Sequence, residues 1–276
     1  MENLRKRKPI VALLLSFFTP GLGQVYNGRL VKGAVYYFAG FLLTAALLFS
    51  GLFFHFNGMI FCLVILLLYF IFILMDALIG AIKLKEIALK PYNKWYLYLI
   101  IFLINIFAIQ PLVGSSIKNN LVRAYKIPSG GMDPTIFNDD RLIANMQIFK
   151  KELPRRGDIV IFRYPLNRSK DFIKRIIGLP GETLQIFNKK VFINNRLMEE
   201  PFAIHTDQRI IPGAEQPRDN TGPIFIPPNK LFVIGDNRDQ SFDSRYWGFV
   251  DLSDLKGKAL YIYWAKDKRR IGQIIR

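Results

Sequence analysis

Apolar positions fall into two regimes along the chain. Over residues 33–54, 59–82 and 95–117 they run almost unbroken, and each run is near or above the roughly 20 residues that a bilayer-crossing helix needs. From Arg141 onward, short β-branched and aromatic runs are separated by turn residues, over 142–148, 158–164, 172–177, 184–187, 191–193, 230–234 and 259–264. The first regime predicts three membrane spans. The second predicts an all-β domain, partly closed or folded on itself to protect its strand edges. Asn188-Lys189 and Asn194-Asn195 are spaced as hairpin turns. The interval 201–228, rich in Pro, Gly and polar residues, reads as a loop or lobe inserted into the domain. The expected organisation is a membrane module over 1–94, an anchoring helix over 95–117 and a β domain over 118–276.

A fourth apolar run, 9–20, is too short to cross and ends in Pro20-Gly21-Leu22-Gly23, which breaks a helix. With the basic start Arg5-Lys6-Arg7-Lys8 it has the n- and h-regions of a signal peptide but no small-residue cleavage site, so it reads as a retained re-entrant or interfacial segment. The three long runs carry one charge, Asp76. An ionisable residue in a span is either functional or a bundle-facing carboxylate with a partner.

Loop charges set the orientation. Arg5, Lys6, Arg7, Lys8, Arg29 and Lys32 precede the first span, and Lys83, Lys85, Lys90 and Lys94 lie between the second and third, whereas residues 55–58 hold no Lys or Arg. The positive-inside rule puts all ten in the cytoplasm and sends everything after about Lys118 to the outer face of the membrane.

That distribution changes the meaning of the net charge of +17. Without the ten loop cations and Glu2, Asp76 and Glu86, the outer part keeps 28 Lys+Arg against 18 Asp+Glu. A basic domain tethered to a bilayer meets anionic head groups, so lipid rather than nucleic acid is the expected partner. The single cysteine, Cys62, lies in a span, which excludes an intramolecular disulfide and leaves the outer domain without thiol chemistry.

Histidine is almost absent. His55 lies between spans and His205 in the inserted interval, so a Ser-His-Asp triad would depend on His205 alone. No HExxH, Cys/His metal spacing or Gly-rich phosphate loop occurs, and no metal or cofactor is expected. What remains is lysine. Lys174 stands among apolar residues of a strand pattern; pointing inward, it would lose hydration, its pKa would fall and a neutral amine would be available as a base. Pointing outward, it would be an ordinary edge lysine. Alternation puts Arg175 on the other face. The stretch Gly235-Asp236-Asn237-Arg238-Asp239-Gln240-Ser241-Phe242-Asp243-Ser244-Arg245 packs opposed charges and hydroxyls together. It reads as a rigid polar scaffold, or as the source of a hydroxyl that orients the lysine. Between the last span and the β domain, Ile127-Pro128-Ser129-Gly130-Gly131-Met132-Asp133-Pro134-Thr135 is either a linker or a loop that aims backbone N–H groups at a ligand.

These blocks, with Gly157-Asp158-Ile159-Val160-Ile161-Phe162, Ile173-Lys174-Arg175 and Gly178-Leu179-Pro180-Gly181, resemble in order and character the bacterial type I signal peptidases over some 120 residues. That family is a β-rich Ser/Lys endopeptidase of the outer membrane face, and its partners are exported precursors with small residues before the cut. The resemblance implies that Lys174 is the general base, Ser129 an oxyanion-hole hydroxyl and Ser241 the hydroxyl that positions the lysine. It makes Asp236, Asp243 and Arg245 the charged support, and gives Met132 and Pro134 the shaping of the loop. Residues 20–26 resemble a small membrane module fused to various bacterial proteins, which implies no chemistry.

One position departs from the pattern. The family's nucleophile is the serine before the methionine, and this chain has Gly131 there. Three readings stand: an inactivating substitution one base from a serine codon, a paralogue that binds signal peptides without cutting them, or another nucleophile such as Ser129, Thr135 or a water activated by Lys174. A cytoplasmic self-cleaving Ser/Lys repressor would need a DNA-binding element in place of the spans. The chain therefore reads as a signal peptidase homologue expected to bind substrate with little turnover, its alternative being a non-catalytic signal-peptide binder.

Overall fold

The computed structural model describes residues 4–84 and 86–276; Glu2 and Lys85, both counted in the loop charges above, lie outside them. The chain divides after Ile117 into two compact units. In the first, β1 (Leu4–Arg5) pairs with β2 (Ile87–Ala88). Helix α1 (Pro9–Phe18) opens on a proline, tolerated there because the first N–H has no intrahelical acceptor. Its ten residues reach about 15 Å, half the hydrocarbon thickness. The chain turns at Gly21, whose φ of +89° suits glycine, into the short α2 (Leu22–Tyr26).

The three long apolar helices follow. They are α3 (Leu30–Phe49), α4 (Phe56–Lys83), and α5 (Trp95–Ile104) continuing through a π-helical turn (Asn105–Ile109) into α6 (Gln110–Asn120). Leu30–Phe49, Phe56–Lys83 and Trp95–Ile117 are each long and apolar enough to cross a membrane. The first ends five residues before the apolar run does, because Gly51 takes a left-handed φ of +78° and Leu52–Phe54 form a separate turn.

Asp76 faces the bundle. Its carboxylate pairs with Lys32 at 2.6 Å and accepts from Gln24 Nε2 at 3.1 Å, and Gln24 also donates to the Ile73 carbonyl and accepts from Ser16. Gly23 makes the α1–α2 crossing possible, since a Cβ there would stand 2.1 Å from the Ala12 carbonyl oxygen. Polar partners inside the bundle thus satisfy groups that lipid would leave unpaired.

The second unit contains two antiparallel sheets. One has seven strands in the order β12-β11-β6-β5-β13-β4-β3: β3 (Val122–Lys126), β4 (Arg141–Asn145), β5 (Ile159–Tyr164), β6 (Asn167–Gly178), β11 (Lys230–Ile234), β12 (Val250–Asp251) and β13 (Leu255–Trp264). The other runs β10-β7-β8-β9: β7 (Thr183–Phe187), β8 (Lys190–Ile193), β9 (Arg196–Leu197) and β10 (Thr221–Phe225). A four-residue helix, α7 (Ser244–Trp247), follows the charged block. The unit forms two sheets and no barrel, with β12 and β3 at the edges of the larger one, so of the two expected forms, partly closed or folded on itself, full closure is not used.

Ile159, Val160, Ile161 and Phe162 are all buried. Alternate side chains enter different cores, Ile159 and Ile161 with Leu142 and Ile262, Val160 and Phe162 with Ile176 and Val233. A third core, with Ile177, Leu184 and Phe232, joins the second sheet to β6 and β11. Both expected hairpin turns form, with positive φ at Asn188, Lys189, Asn194 and Asn195.

The inserted interval is more structured than its composition predicts. It supplies β10, whose Pro223 is tolerated because that strand pairs only with β7. It also carries Arg218, Asp219 and Asp207, whose ion pairs link it to Asp239 of the charged block. Strand β3 escaped detection because its Val-Arg-Ala-Tyr-Lys pattern carries two charges, and edge strands tolerate charge.

Candidate active site

The loop between β3 and β4 is stitched to itself. Ile127 N–H donates to the Asp140 carbonyl at 2.9 Å and Asp139 N–H to Ile127 at 2.8 Å, while Ile136 N–H reaches Met132 at 2.9 Å. Met132 and Ile136 are buried anchors in the core beneath. Pro134 is exposed, and the carbonyls of residues 134 and 135 accept from Arg270, which also pairs with Asp140 at 2.8 Å. A linker would show none of this closure.

The charged block meets that loop from the other side. Asn237 donates its N–H to the Gly131 carbonyl at 3.3 Å and its side-chain amide to the Gly130 carbonyl at 3.2 Å. The approach depends on Gly235, where a Cβ would fall 2.2 Å from both the Gly131 carbonyl oxygen and Ser241 Oγ. Gly131 is different. Its φ lies outside the left-handed region, and a Cβ added there would sit 3.4 Å from Lys174 Nζ and 3.7 Å from Ser241 Cα, ordinary van der Waals separations. Gly131, Lys174 and Ser241 therefore converge although far apart in the chain.

Lys174 stands on β6 opposite Val160 of β5 and is only 7% exposed. Burial pushes its pKa below 10.5, helped by the Arg245 guanidinium and opposed by the Asp243 and Asp236 carboxylates. Its ammonium has no ion pair among the described residues. The Ser241 hydroxyl is buried without a hydrogen-bond partner among them. Ser129 is exposed and no described hydrogen bond ties its hydroxyl to this cluster. The Thr135 hydroxyl donates to Asp236 Oδ2 at 2.5 Å and is thereby committed.

Beneath the site lie two buried ion pairs. Arg175, on the face of β6 opposite Lys174, grips Asp236 with two hydrogen bonds of 2.8 and 2.6 Å, donates to the Gly157 carbonyl, and stacks on Phe202 with 3.9 Å to the ring centroid. Arg245 grips Asp243 at 2.8 Å through Nε and through Nη2, and also donates to three backbone carbonyls. Asp243 accepts from Gly235 N–H, which fixes the glycine against the loop. A further pair, Arg238 with Glu200, clamps the block to the start of the inserted interval.

Arg175, Gly235, Asn237 and Glu200 were missed as site residues. Asn237 and Gly235 lay inside a block already singled out, but nothing local distinguishes a close-approach glycine from a turn glycine. His205, the only histidine of this unit, lies 3.7 Å from Asp239, and burial lowers its pKa.

The arrangement offers a buried amine whose pKa is lowered by desolvation, a buried hydroxyl and a backbone loop around an empty Cβ position. It can take a proton from a group placed at 131, and among the described residues no set of three or more His, Cys, Asp or Glu could hold a metal. Burial of Lys174 also has a measurable cost. Because its folded pKa lies below the unfolded value, the penalty is full below the folded pKa, shrinks as pH rises through it, and vanishes above about 10.5. Lys174→Met is therefore expected to raise the melting temperature of the detergent-solubilised chain at pH 7, the gain narrowing toward pH 10. A gain independent of pH would contradict a buried, titrating amine.

A profile of the family described as signal peptidase, peptidase S26 matches residues 95–264. The chain is similar to the probable signal peptidase I-2 of Synechocystis sp., 35% identical over 159 residues that cover 55% of this chain and 68% of that one. It is likewise 35% identical over 167 residues to the signal peptidase I of Leptolyngbya laminosa, covering 57% and 75%. With the signal peptidase I of Bacillus caldolyticus it shares 33% over 144 residues, covering 51% and 78%.

Proposed function

Since the chain belongs to the signal peptidase (peptidase S26) family, we propose that it engages the signal peptides of exported precursors at the Gly131–Lys174–Ser241 cluster and holds them with little turnover. The family consists of serine proteases that remove signal peptides. The observation that carries the reading is the 3.4 Å between a Cβ at position 131 and Lys174 Nζ, because a serine hydroxyl on that Cβ would come within hydrogen-bond reach of the amine.

With serine at 131, neutral Lys174 takes the hydroxyl proton as the oxygen attacks the scissile carbonyl carbon. The 131 N–H, with the Ser129 hydroxyl turned inward, stabilises the oxyanion, and the amine leaves with the proton from Lys174. Water activated by the same lysine then hydrolyses the ester. Ser241 orients the amine, and the Asp236 and Asp243 pairs keep the block rigid. With glycine no acyl-enzyme forms. Thr135 is a poor substitute because its hydroxyl is held by Asp236.

The substrate lies extended beside the loop, small side chains next to the scissile bond. The N-terminus lies in the cytoplasm and the β unit outside, following the loop charges. A precursor with Ala-x-Ala before its junction is expected to bind the detergent-solubilised chain and be recovered intact. Cleavage by this chain at the rate of its Gly131→Ser variant would overturn the assignment of position 131. Binding with no cleavage by either form would favour the second reading, a binder without catalysis.

A further inference from the structure

At the end of the larger sheet where β3 begins, β4 and β5 end and β13 starts, a pocket of about 470 Å³ opens, within the range of small-ligand sites. Its polar lining is one-sided. Arg123, Lys150, Arg163 and Lys256 line it, over Phe149 and Leu252, and no carboxylate does among the described residues.

The nearby acids do not balance these charges. Asp171 serves both Lys256, at 2.6 Å, and Arg123, at 3.9 Å. The buried Asp254 serves both Arg163, at 4.0 Å, and Arg168. Lys150 has no ion pair among the described residues. Four cations thus share two carboxylates while Lys150 has none, and the surplus is carried by strands and short turns. Converging guanidinium and ammonium groups match the charge and oxygen geometry of a phosphate.

The pocket is separate from the Lys174 cluster. The loop that holds Gly131 leaves from the Lys126 end of β3, whereas Arg123 stands near its Val122 end. That end follows the last apolar helix closely. Arg123 comes six residues after Ile117, at most about 21 Å of extended chain.

We propose that this pocket binds a phosphate group, that of a glycerophospholipid head group, independently of any chemistry at position 131. A free phosphate ester offers the same charge and oxygens, so the test separates the two sources.

The full chain in neutral detergent would be titrated with glycerol 3-phosphate, and its lipid adducts counted by native mass spectrometry after exposure to phosphatidylglycerol or phosphatidylcholine. The Lys150→Gln/Arg163→Gln double variant would be compared with Lys268→Gln/Arg269→Gln, which removes two exposed cations elsewhere. Phosphatidylglycerol retention is expected to fall about twenty-five-fold in the first variant, at about fivefold per basic residue, and to hold in the second. If glycerol 3-phosphate shows this loss while the lipid does not, the phosphate site stands and the lipid source is rejected. If neither ligand is affected, or both variants lose binding equally, the proposal is overturned.

Discussion

Replacing Gly131 by serine is expected to raise cleavage of an Ala-x-Ala precursor by about a millionfold, the scale lost when a serine protease is stripped of its nucleophile. The backbone does not resist the change, since φ at 131 lies outside the left-handed region and the nearest atom to a new Cβ is Lys174 Nζ, at 3.4 Å. The surroundings are already in place: a buried amine whose pKa is lowered by desolvation, a buried Ser241 hydroxyl without a partner among the described residues, and a loop clamped by Asn237. Adding Lys174→Ala to the serine form should return cleavage to the level of the glycine chain. The kcat/KM of the serine form should rise with pH through the lysine's folded pKa, below 10.5, because only the neutral amine accepts the proton. Full activity retained without Lys174 would show that another group is the base.

Asp236→Ala is expected to destabilise the β unit by about 3–5 kcal/mol, the cost of leaving a buried charge without its partner. Arg175 is 1% and Asp236 0% exposed, so solvent cannot screen the orphaned guanidinium. The substitution also frees Thr135, which donates to the same carboxylate. Replacing both partners, as in Arg175→Met/Asp236→Leu, should recover much of the loss, since paired removal leaves no unpaired charge. Limited proteolysis or thermal unfolding of the detergent-solubilised chain reads both effects. A change for Asp236→Ala within about 0.5 kcal/mol, typical of surface substitutions, would show that the pair does not hold the block under the site.

The same residues show how far local pattern reaches. Lysine 174 was visible as a base candidate because a charged residue interrupts an apolar strand, yet the strand alone left its direction open. Burial on β6 settled the direction. Ser129 and Gly131 were marked by their motif, but the hydroxyl of the first is exposed whereas the second lies against Lys174. The inserted interval reads as loop because Pro, Gly and polar residues dominate it, and its order comes from ion pairs to Asp239 across the chain. The need to protect edges predicts a β unit partly closed or folded on itself; the pattern does not say which edges remain, and the sheet order leaves β3, with its Arg and Lys, as one of them.

By itself the sequence determined the three apolar helices, the β character of the second unit, most strand positions and both hairpin turns, because each rests on composition or on a period of a few residues. Motif resemblance already grouped Gly131, Lys174 and Ser241; only the tertiary structure decided their separations, that Gly235 must lack a side chain where it approaches Gly131 and Ser241, and that Thr135 is engaged by Asp236. These are contacts between residues as far apart as 61 positions for Arg175 and Asp236 and 101 for Thr135 and Asp236. No local pattern encodes such a distance, which exists only once the sheet has brought its strands into register.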